Sequence, residues 1–460
     1  MALAVSCSLS TSQRPTETIK WTFRWNPSPT ETSPKASICP LLYGKQWAYS
    51  VEIDDCPVST YTVSQPLLAQ YQFTDAPPGI AGGKRLPFVG GAAVIVLRLD
   101  AENASFLNWQ QLRELEKKGW AVLNHGYWHS GYGWDPKGAL TAAQFRDEMY
   151  WSQAMIGAEL GHSPTHFVYP NGYMEYQPYV KQFGLQSASR VAGKTRSLID
   201  PSDDHMDIDR NYLDESVWKQ SGDPLVGFPK TPKLGDFNID FTHGMEADPQ
   251  SPNHKRWVER LNFIASRFGA EGDDSMWSAP PSEVISYANA AKSATVQCER
   301  GRLTIRMPAS LPGTPLTVKV SGLPADSKID APPGGLLYRK GDEAWLTTPM
   351  LGTPGLKPPI PHLKRIYEGP VQNASWSKSE KVACVRIRQH GAPKPGFKLK
   401  IDLLGPDGAR SEVTNEVLKE NWGAWQLYPI VPNRDPISAT RIEVTSDPVL
   451  HRMEVWAVTD

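Results

Sequence analysis

The sequence predicts an α/β protein: a distorted (β/α) barrel followed by one or two small all-β sandwich domains. Three observations carry that prediction. Between residues 92 and 268, strand-like apolar runs alternate with amphipathic helical stretches, the pattern of a parallel sheet or barrel. Carboxylates and imidazoles fall just past the ends of several of those runs, where α/β barrels keep their chemistry. After about residue 290 the helical period disappears, and short alternating segments between Pro and Gly turns take over.

Taken in order, residues 1–45 are rich in Ser, Thr and Pro and are expected as an N-terminal arm extended on the first domain. Residues 47–53 alternate as a strand that ends at Asp54-Asp55-Cys56-Pro57. Residues 58–91 form a long Gly- and Pro-containing insertion, expected as a rim loop. A buried strand is expected over 92–99, a helix over 106–118 closed by Gly119, and a strand over 120–123 that delivers His125 and His129. Thr141 is placed to cap a helix running to Leu160, with Gly161 as its stop. A strand over 167–169 ends at Pro170-Asn171-Gly172, and a helix near 177–183 precedes strands over 185–188, 206–210 and 237–241. The last of these ends at Thr242-His243-Gly244, before a helix over 253–268. The barrel domain is therefore bounded at 46–290, with β modules at 291–355 and 362–460 and a stiff Pro-rich linker over 353–361 between them. Residues 439–444 and 451–456 are expected to pair as a hairpin.

At 460 residues the chain is long enough for two or three domains. Its 48 basic and 49 acidic residues are well mixed, so no field favours a phosphate backbone or anionic lipid, and nucleic acid is not an expected partner. No apolar run reaches the ~18 residues of a membrane-spanning helix. Residues 1–10 are apolar but lack a basic start and a cleavage site, so no signal peptide is read there. Five cysteines (Cys7, Cys39, Cys56, Cys298, Cys384) show no Cys-x-x-Cys spacing, which argues against a structural zinc ribbon. The 16 tryptophans and 41 prolines resemble the usage of exported carbohydrate-active proteins, and a secreted, periplasmic or cell-surface location is expected.

The chemistry-bearing stretch is Asn124-His125-Gly126-Tyr127-Trp128-His129, read with Glu52-Ile53-Asp54-Asp55. Two histidines four apart can share one face of a turn, and with a carboxylate they make a three-ligand metal site with open positions. Such a site suits hydrolysis. Plainer readings exist for each part. An Asp-Asp pair at a strand end is ordinarily a solvated turn, Asn171-Gly172 a tight turn, and His243 a surface histidine. Arg210 is equally a salt-bridge partner for Asp207, Asp214 or Glu215. Trp422 and Trp425 in the second β module read as core. Tyr127, Trp128, Tyr132 and Trp134 are either rim packing or platforms for a sugar.

Residues 47–290 resemble the polysaccharide deacetylase family, carbohydrate esterase family four. Asp54 and Asp55 match its first motif, with Cys56 in place of the usual glycine. His125-Gly-Tyr-Trp-His129 matches its His-[Ser/Thr]-x-x-His, with Gly126 replacing the hydroxyl residue, which predicts a looser histidine. Val168-Tyr-Pro-Asn171-Gly172 stands for Arg-x-Pro-Tyr without the arginine, and Phe241-Thr-His243 for the final Leu-x-His. The resemblance implies that Asp55, His125 and His129 hold one divalent metal, zinc by default, with cobalt, nickel or iron compatible. It implies Asp54 as general base, His243 as general acid and the backbone N–H of Asn171 as an oxyanion donor, with Arg210 orienting Asp54. Tyr127, Trp128 and Tyr169 are candidates for substrate contact. The function implied is removal of N- or O-acetyl groups from a polysaccharide or oligosaccharide. Two alternatives are an amidohydrolase acting on a small amide or imide, and an inactive carbohydrate-binding surface protein.

Overall fold

Strand runs of three to seven residues, spaced by helices, leave the chain one economical way to bury them. They pair in parallel with the helices outside. The computed structural model describes residues 18–25, 34–99, 103–129, 140–193, 196–200, 203–299, 301–308, 314–324, 327–329, 331, 334–349, 360–389, 398–417, 425–446 and 450–459. Seven parallel strands form the barrel: β1 (Trp47–Ile53), β2 (Gly91–Val94), β3 (Ala121–Asn124), β4 (His166–Val168), β5 (Ser187–Val191), β6 (Ile208–Tyr212) and β7 (Asp236–Thr242). Each pairs with the next, and β7 returns to β1 with Phe237 opposite Ala48 and Thr242 opposite Ile53, which closes the barrel. A further strand, Met276–Ser278, lies parallel to β1, and Arg196–Ser197 lies antiparallel to β7.

Three helices matter for the site. α1 (Trp109–Lys117) starts where Asn108 and Gln111 form a capping box, a few residues later than the apolar pattern suggests. α2 (Ala142–Leu160) has its capping box at Thr141 and Gln144, and ends at Gly161 in the left-handed region. Ser251 caps α3 (Pro252–Phe268). The strand expected over 92–99 is half that length. It stops at Val94 because the next three donors leave the ladder: Ile95 N–H goes to Cys56 Sγ, Val96 N–H to the Gly126 carbonyl and Leu97 N–H to the Tyr127 carbonyl. Residues Val96–Leu99 therefore coil into a helical turn beside the histidine loop. The insertion at 58–91 carries a helical stretch over Thr60–Ser64 and Gln65–Leu68, then a hairpin of Gln72–Thr74 with Arg85–Pro87.

Contacts divide the chain into two compact units, one of Lys45–Ile285 with Lys357–Asp460, the other of Met1–Gly44 with Ser286–Leu356. In the second unit the segment expected as an arm supplies two strands: Thr18–Arg24 runs antiparallel to Arg302–Pro308, and Lys35–Ile38 to Thr317–Ser321. In the first unit, residues beyond 360 form a seven-stranded antiparallel sheet. The hairpin expected between 439–444 and 451–456 does not form. The 16-residue strand Ala374–Gln389 lies between them and pairs with both. One apolar cluster of this sheet gathers Val382, Val385, Ile401, Leu403, Met453 and Val455. The sheet also meets the barrel at α2, where Asn433 donates to Asp147 at 3.0 Å and Arg365 lies 3.6 Å from Glu159. Trp425 is buried beneath the Arg386 guanidinium, as a core residue. Tyr132, Trp134, Trp422 and most of the expected linker lie outside the described residues.

Candidate active site

Side chains alternate along a strand, so Glu52 and Asp54 at the end of β1 point the same way, into the barrel, and Asp55 would point out. The backbone turns instead. Asp55 takes φ 74° and Cys56 φ 58°, the left-handed region. Glycine takes such a conformation without strain, and here a cysteine is accommodated. Its buried Sγ accepts the Ile95 N–H at 2.9 Å, which repays part of the roughly 1–2 kcal/mol that a Cβ costs in that region. Burial pushes the Cys56 thiol up to about 12, so it stays a thiol.

The turn brings Asp55 against the two histidines. Its Oδ1 lies 3.5 Å from His125 Nε2 and 3.5 Å from His129 Nε2, and its Oδ2 meets Arg98 Nη1 at 2.9 Å. Arg98 also donates to the Asp55 carbonyl at 3.0 Å, so one guanidinium fixes both ends of the residue. Burial alone would raise the Asp55 carboxyl, but His125, Arg98 and His129 hold it below the usual carboxylate range. His125 Nδ1 sits 2.8 Å from the Val168 carbonyl, an acceptor, which places a proton on Nδ1 and directs Nε2 toward Asp55. Burial and the neighbouring His125 bring His129 down to about 4, leaving a neutral imidazole.

Asp55 Oδ1 is buried and has no hydrogen-bond partner among the described residues. An anionic oxygen in that state is costly unless a cation meets it. Asp55, His125 and His129 also offer three ligand atoms within 4.8 Å of one another, the one such group found among the described residues. The donor set, two imidazoles and a carboxylate, suits zinc and its first-row neighbours.

At Gly126 the space that a hydroxyl residue would need is already taken. Gly126 takes φ 87°, and a Cβ there would lie 2.7 Å from Glu148 Oε1. Glu148, buried on α2, fills that space: it accepts the Trp128 N–H at 3.2 Å and the Tyr176 hydroxyl. Glu148 thus anchors the backbone between the two histidines.

Asp54 is buried, and Arg210 Nη1 donates to its two oxygens at 2.9 and 3.0 Å. The guanidinium rests on the Phe241 ring, 3.9 Å from its centroid. Of the alternative acids for Arg210, Asp207 pairs with Arg190, Asp214 with His243 and Glu215 with Lys219. Glu52 shares Arg210 instead, at 2.7 Å. At the end of β7, Asp214 accepts from both the backbone N–H and Nδ1 of His243, at 2.9 and 2.8 Å. The bond from Asp214 raises His243 above its ordinary range. Against its own burial, Asp214 is brought down to about 2 by His243 and Thr242.

Asn171 takes φ 53° in the turn after β4, and Pro170 lies beside Gly126, so this turn adjoins the histidine loop. Two of the expected substrate contacts are misplaced. Tyr127 is 0% exposed and Tyr169 1%, the latter donating to the Met206 carbonyl, so neither ring has a face for a sugar. Trp128, partly exposed, is the one that keeps surface. Four residues of the site were given no role in it from the sequence: Arg98, Glu52, Glu148 and Asp214, the last read only as a salt-bridge partner for Arg210. Glu52 alone carried a signal, standing two before Asp54 on a strand.

Carboxylates and imidazoles thus converge at the C-terminal ends of the parallel barrel strands, the face on which barrels of this class carry their chemistry. A model of the polysaccharide deacetylase family, hydrolases that act on acetylated carbohydrate, matches residues 87–188, within the barrel. A comparison with curated proteins finds no match. Among solved structures, the chain is similar to the family 4 carbohydrate esterase domain of a multidomain xylanase from the hindgut metagenome of Trinervitermes trinervoides (14% identity, TM-score 0.32, 54% of this chain and 92% of that one). It is also similar to a family 4 carbohydrate esterase from Streptomyces lividans in complex with acetate (15%, TM-score 0.30, 50% and 91%). A third is a pseudoenzyme of the same family from Bacillus anthracis (13%, TM-score 0.33, 53% and 66%).

Proposed function

We propose that the protein is a metal-dependent deacetylase that removes N- or O-linked acetyl groups from a polysaccharide or oligosaccharide. The observation that carries this reading is the buried Asp55 Oδ1, without a hydrogen-bond partner among the described residues and set 3.5 Å from each of two histidine Nε2 atoms. Asp55, His125 and His129 would hold one divalent cation, which supplies Lewis acidity toward water and the acyl oxygen.

The chain's own groups supply the proton transfers. Asp54, fixed by Arg210, takes a proton from water as its oxygen adds to the acetyl carbon. The Asn171 backbone N–H donates to the oxyanion that forms. When the carbon–nitrogen or carbon–oxygen bond breaks, His243 Nε2 gives its proton to the departing amine or alcohol, and acetate leaves. Asp214 holds His243 Nδ1, which leaves Nε2 facing outward on a side chain 43% exposed, open to a polymer. Asp214 also favours the protonated imidazole that an acid needs.

The test is an acetate-release screen over chitin-like, xylan-like and algal acetylated polymers, with wild type and Asp54→Asn. Wild type is expected to release acetate from one of them, and the variant to lose about 10²- to 10⁴-fold in rate. An unchanged rate in the variant refutes the base. Bound metal with release only from small amides or imides would favour the amidohydrolase reading, and absence of bound metal an inactive binding protein.

A further inference from the structure

Beneath the site the barrel interior is polar, where such barrels are ordinarily filled by branched apolar side chains. Glu52 on β1, His166 on β4, Ser189 on β5 and Arg210 on β6 come from four strands and meet. The first three are 0% exposed. Ser189 Oγ donates to Glu52 Oε2 at 3.1 Å. His166 Nε2 lies 3.0 Å from Ser189 Oγ and 3.5 Å from Glu52 Oε1, and its Nδ1 lies 2.7 Å from Ser187 Oγ. Glu52 Oε2 in turn accepts Arg210 Nη1 at 2.7 Å, the same nitrogen that donates to both oxygens of Asp54.

That geometry is unusual for an arginine on a carboxylate. Left to itself a guanidinium grips a carboxylate with two parallel N–H bonds from two nitrogens. Here a single Nη1 serves two carboxylates, and Arg210 Nε, though buried, has no partner among the described residues. Phe241 fixes the plane of the guanidinium but not its rotation within that plane. The rotation is set by Glu52, which shares Nη1 with Asp54. A buried carboxylate is costly, and a residue needed only to fill this space would be apolar.

We propose that Glu52 is a positioning residue for the base: by holding Arg210 in a one-nitrogen grip, it fixes the direction in which the Asp54 carboxylate faces the attacking water. Ser189 and His166 hold Glu52 in turn. The inference rests on the reading of Asp54 as the base. Without Glu52 the guanidinium rotates into the two-nitrogen fork and takes the Asp54 carboxylate with it.

The test compares Glu52→Gln with Glu52→Ala in the full-length, zinc-loaded protein. Gln keeps a carbonyl for Nη1, so its kcat is expected within about threefold of wild type. Ala is expected to lower kcat about 10- to 100-fold, the cost of a misdirected group, with KM and bound zinc unchanged. Should the Ala variant fail to fold, Ser189→Ala, which frees the Glu52 oxygen, is expected to lower kcat about three- to tenfold at constant KM. Equal losses in the Gln and Ala variants, or full kcat in Ala or in Ser189→Ala, would overturn the proposal. If wild type releases acetate from no substrate, it is the functional reading that fails. Positioning is then judged by the crystal structure of Glu52→Gln and, where it folds, Glu52→Ala: Nη1 displaced from Asp54 in Ala alone supports it, and Nη1 in place in both overturns it.

Discussion

Restoring the family's hydroxyl residue at position 126 should damage this protein. Gly126→Ser places a Cβ at φ 87°, which costs roughly 1–2 kcal/mol in strain for any L-residue. The same Cβ would sit 2.7 Å from Glu148 Oε1. That oxygen ends a flexible side chain, but it cannot retreat freely, because it holds the Trp128 N–H while its twin holds the Tyr176 hydroxyl. Displacing it adds about 1–3 kcal/mol, the usual cost of overpacking. Together the two effects amount to about 2–5 kcal/mol, or roughly 4–20 °C in Tm at the 2–4 °C per kcal/mol typical of domains this size. Zinc affinity should fall about 10- to 100-fold, as it does when support for a ligand is lost. Calorimetry and zinc titration of Gly126→Ser, Glu148→Ala and the double variant read these out. In the Glu148→Ala background the serine should cost only the strain, so the two substitutions are non-additive. A Gly126→Ser protein with the Tm and zinc affinity of wild type would refute this account of the loop.

Two further predictions concern protons and metal. In Asp214→Asn the basic limb of kcat/KM should move to lower pH, because Asp214 raises His243; an unmoved limb rules out His243 as the acid. The stability from this raised histidine is fully present below its unfolded value of about 6.5 and is lost as pH rises through the folded value, so the Tm advantage of wild type over Asp214→Asn should shrink in that direction. Chelation should abolish acetate release and lower stability, by about 2.7 kcal/mol if the free metal had stood at 100 times its Kd, with zinc restoring both. Full activity after exhaustive chelation would sink the metal assignment.

Much of this site was legible because its residues obey local rules. Asp54, Asp55, His125, His129, Asn171 and His243 each follow a strand with a clear apolar pattern, and the barrel gathers such strand ends on one face. Arg210 was readable as a partner for some acid, but which one depended on barrel closure, and closure brings β6 near β1. The parts that were missed depend on pairings that no short window contains. Arg98 faces Asp55 only because its strand breaks early, spending its donors on Cys56 and the histidine loop. Glu148 lies in the middle of α2, on a helix buried so broadly that no single apolar stripe marks its inward face. Tyr127 looked like a sugar platform in the sequence, but its fate was decided by burial, to which a local aromatic cluster is blind. The long strand at Ala374–Gln389 displaced an expected hairpin because it could pair with both candidate partners at once.

The strand Thr18–Arg24 finds its mate only at Arg302–Pro308, with the whole barrel sequence in between. On the ribosome it therefore emerges well before that mate and waits, on the order of tens of seconds at typical synthesis rates, with its backbone donors and acceptors unclaimed. Through that interval the nascent chain carries a bare β edge, the feature most apt to recruit a neighbouring polypeptide. Expression at lower temperature slows the supply of the mate as well as the encounter with neighbours, so chaperone capacity, more than temperature, should govern the yield of soluble protein.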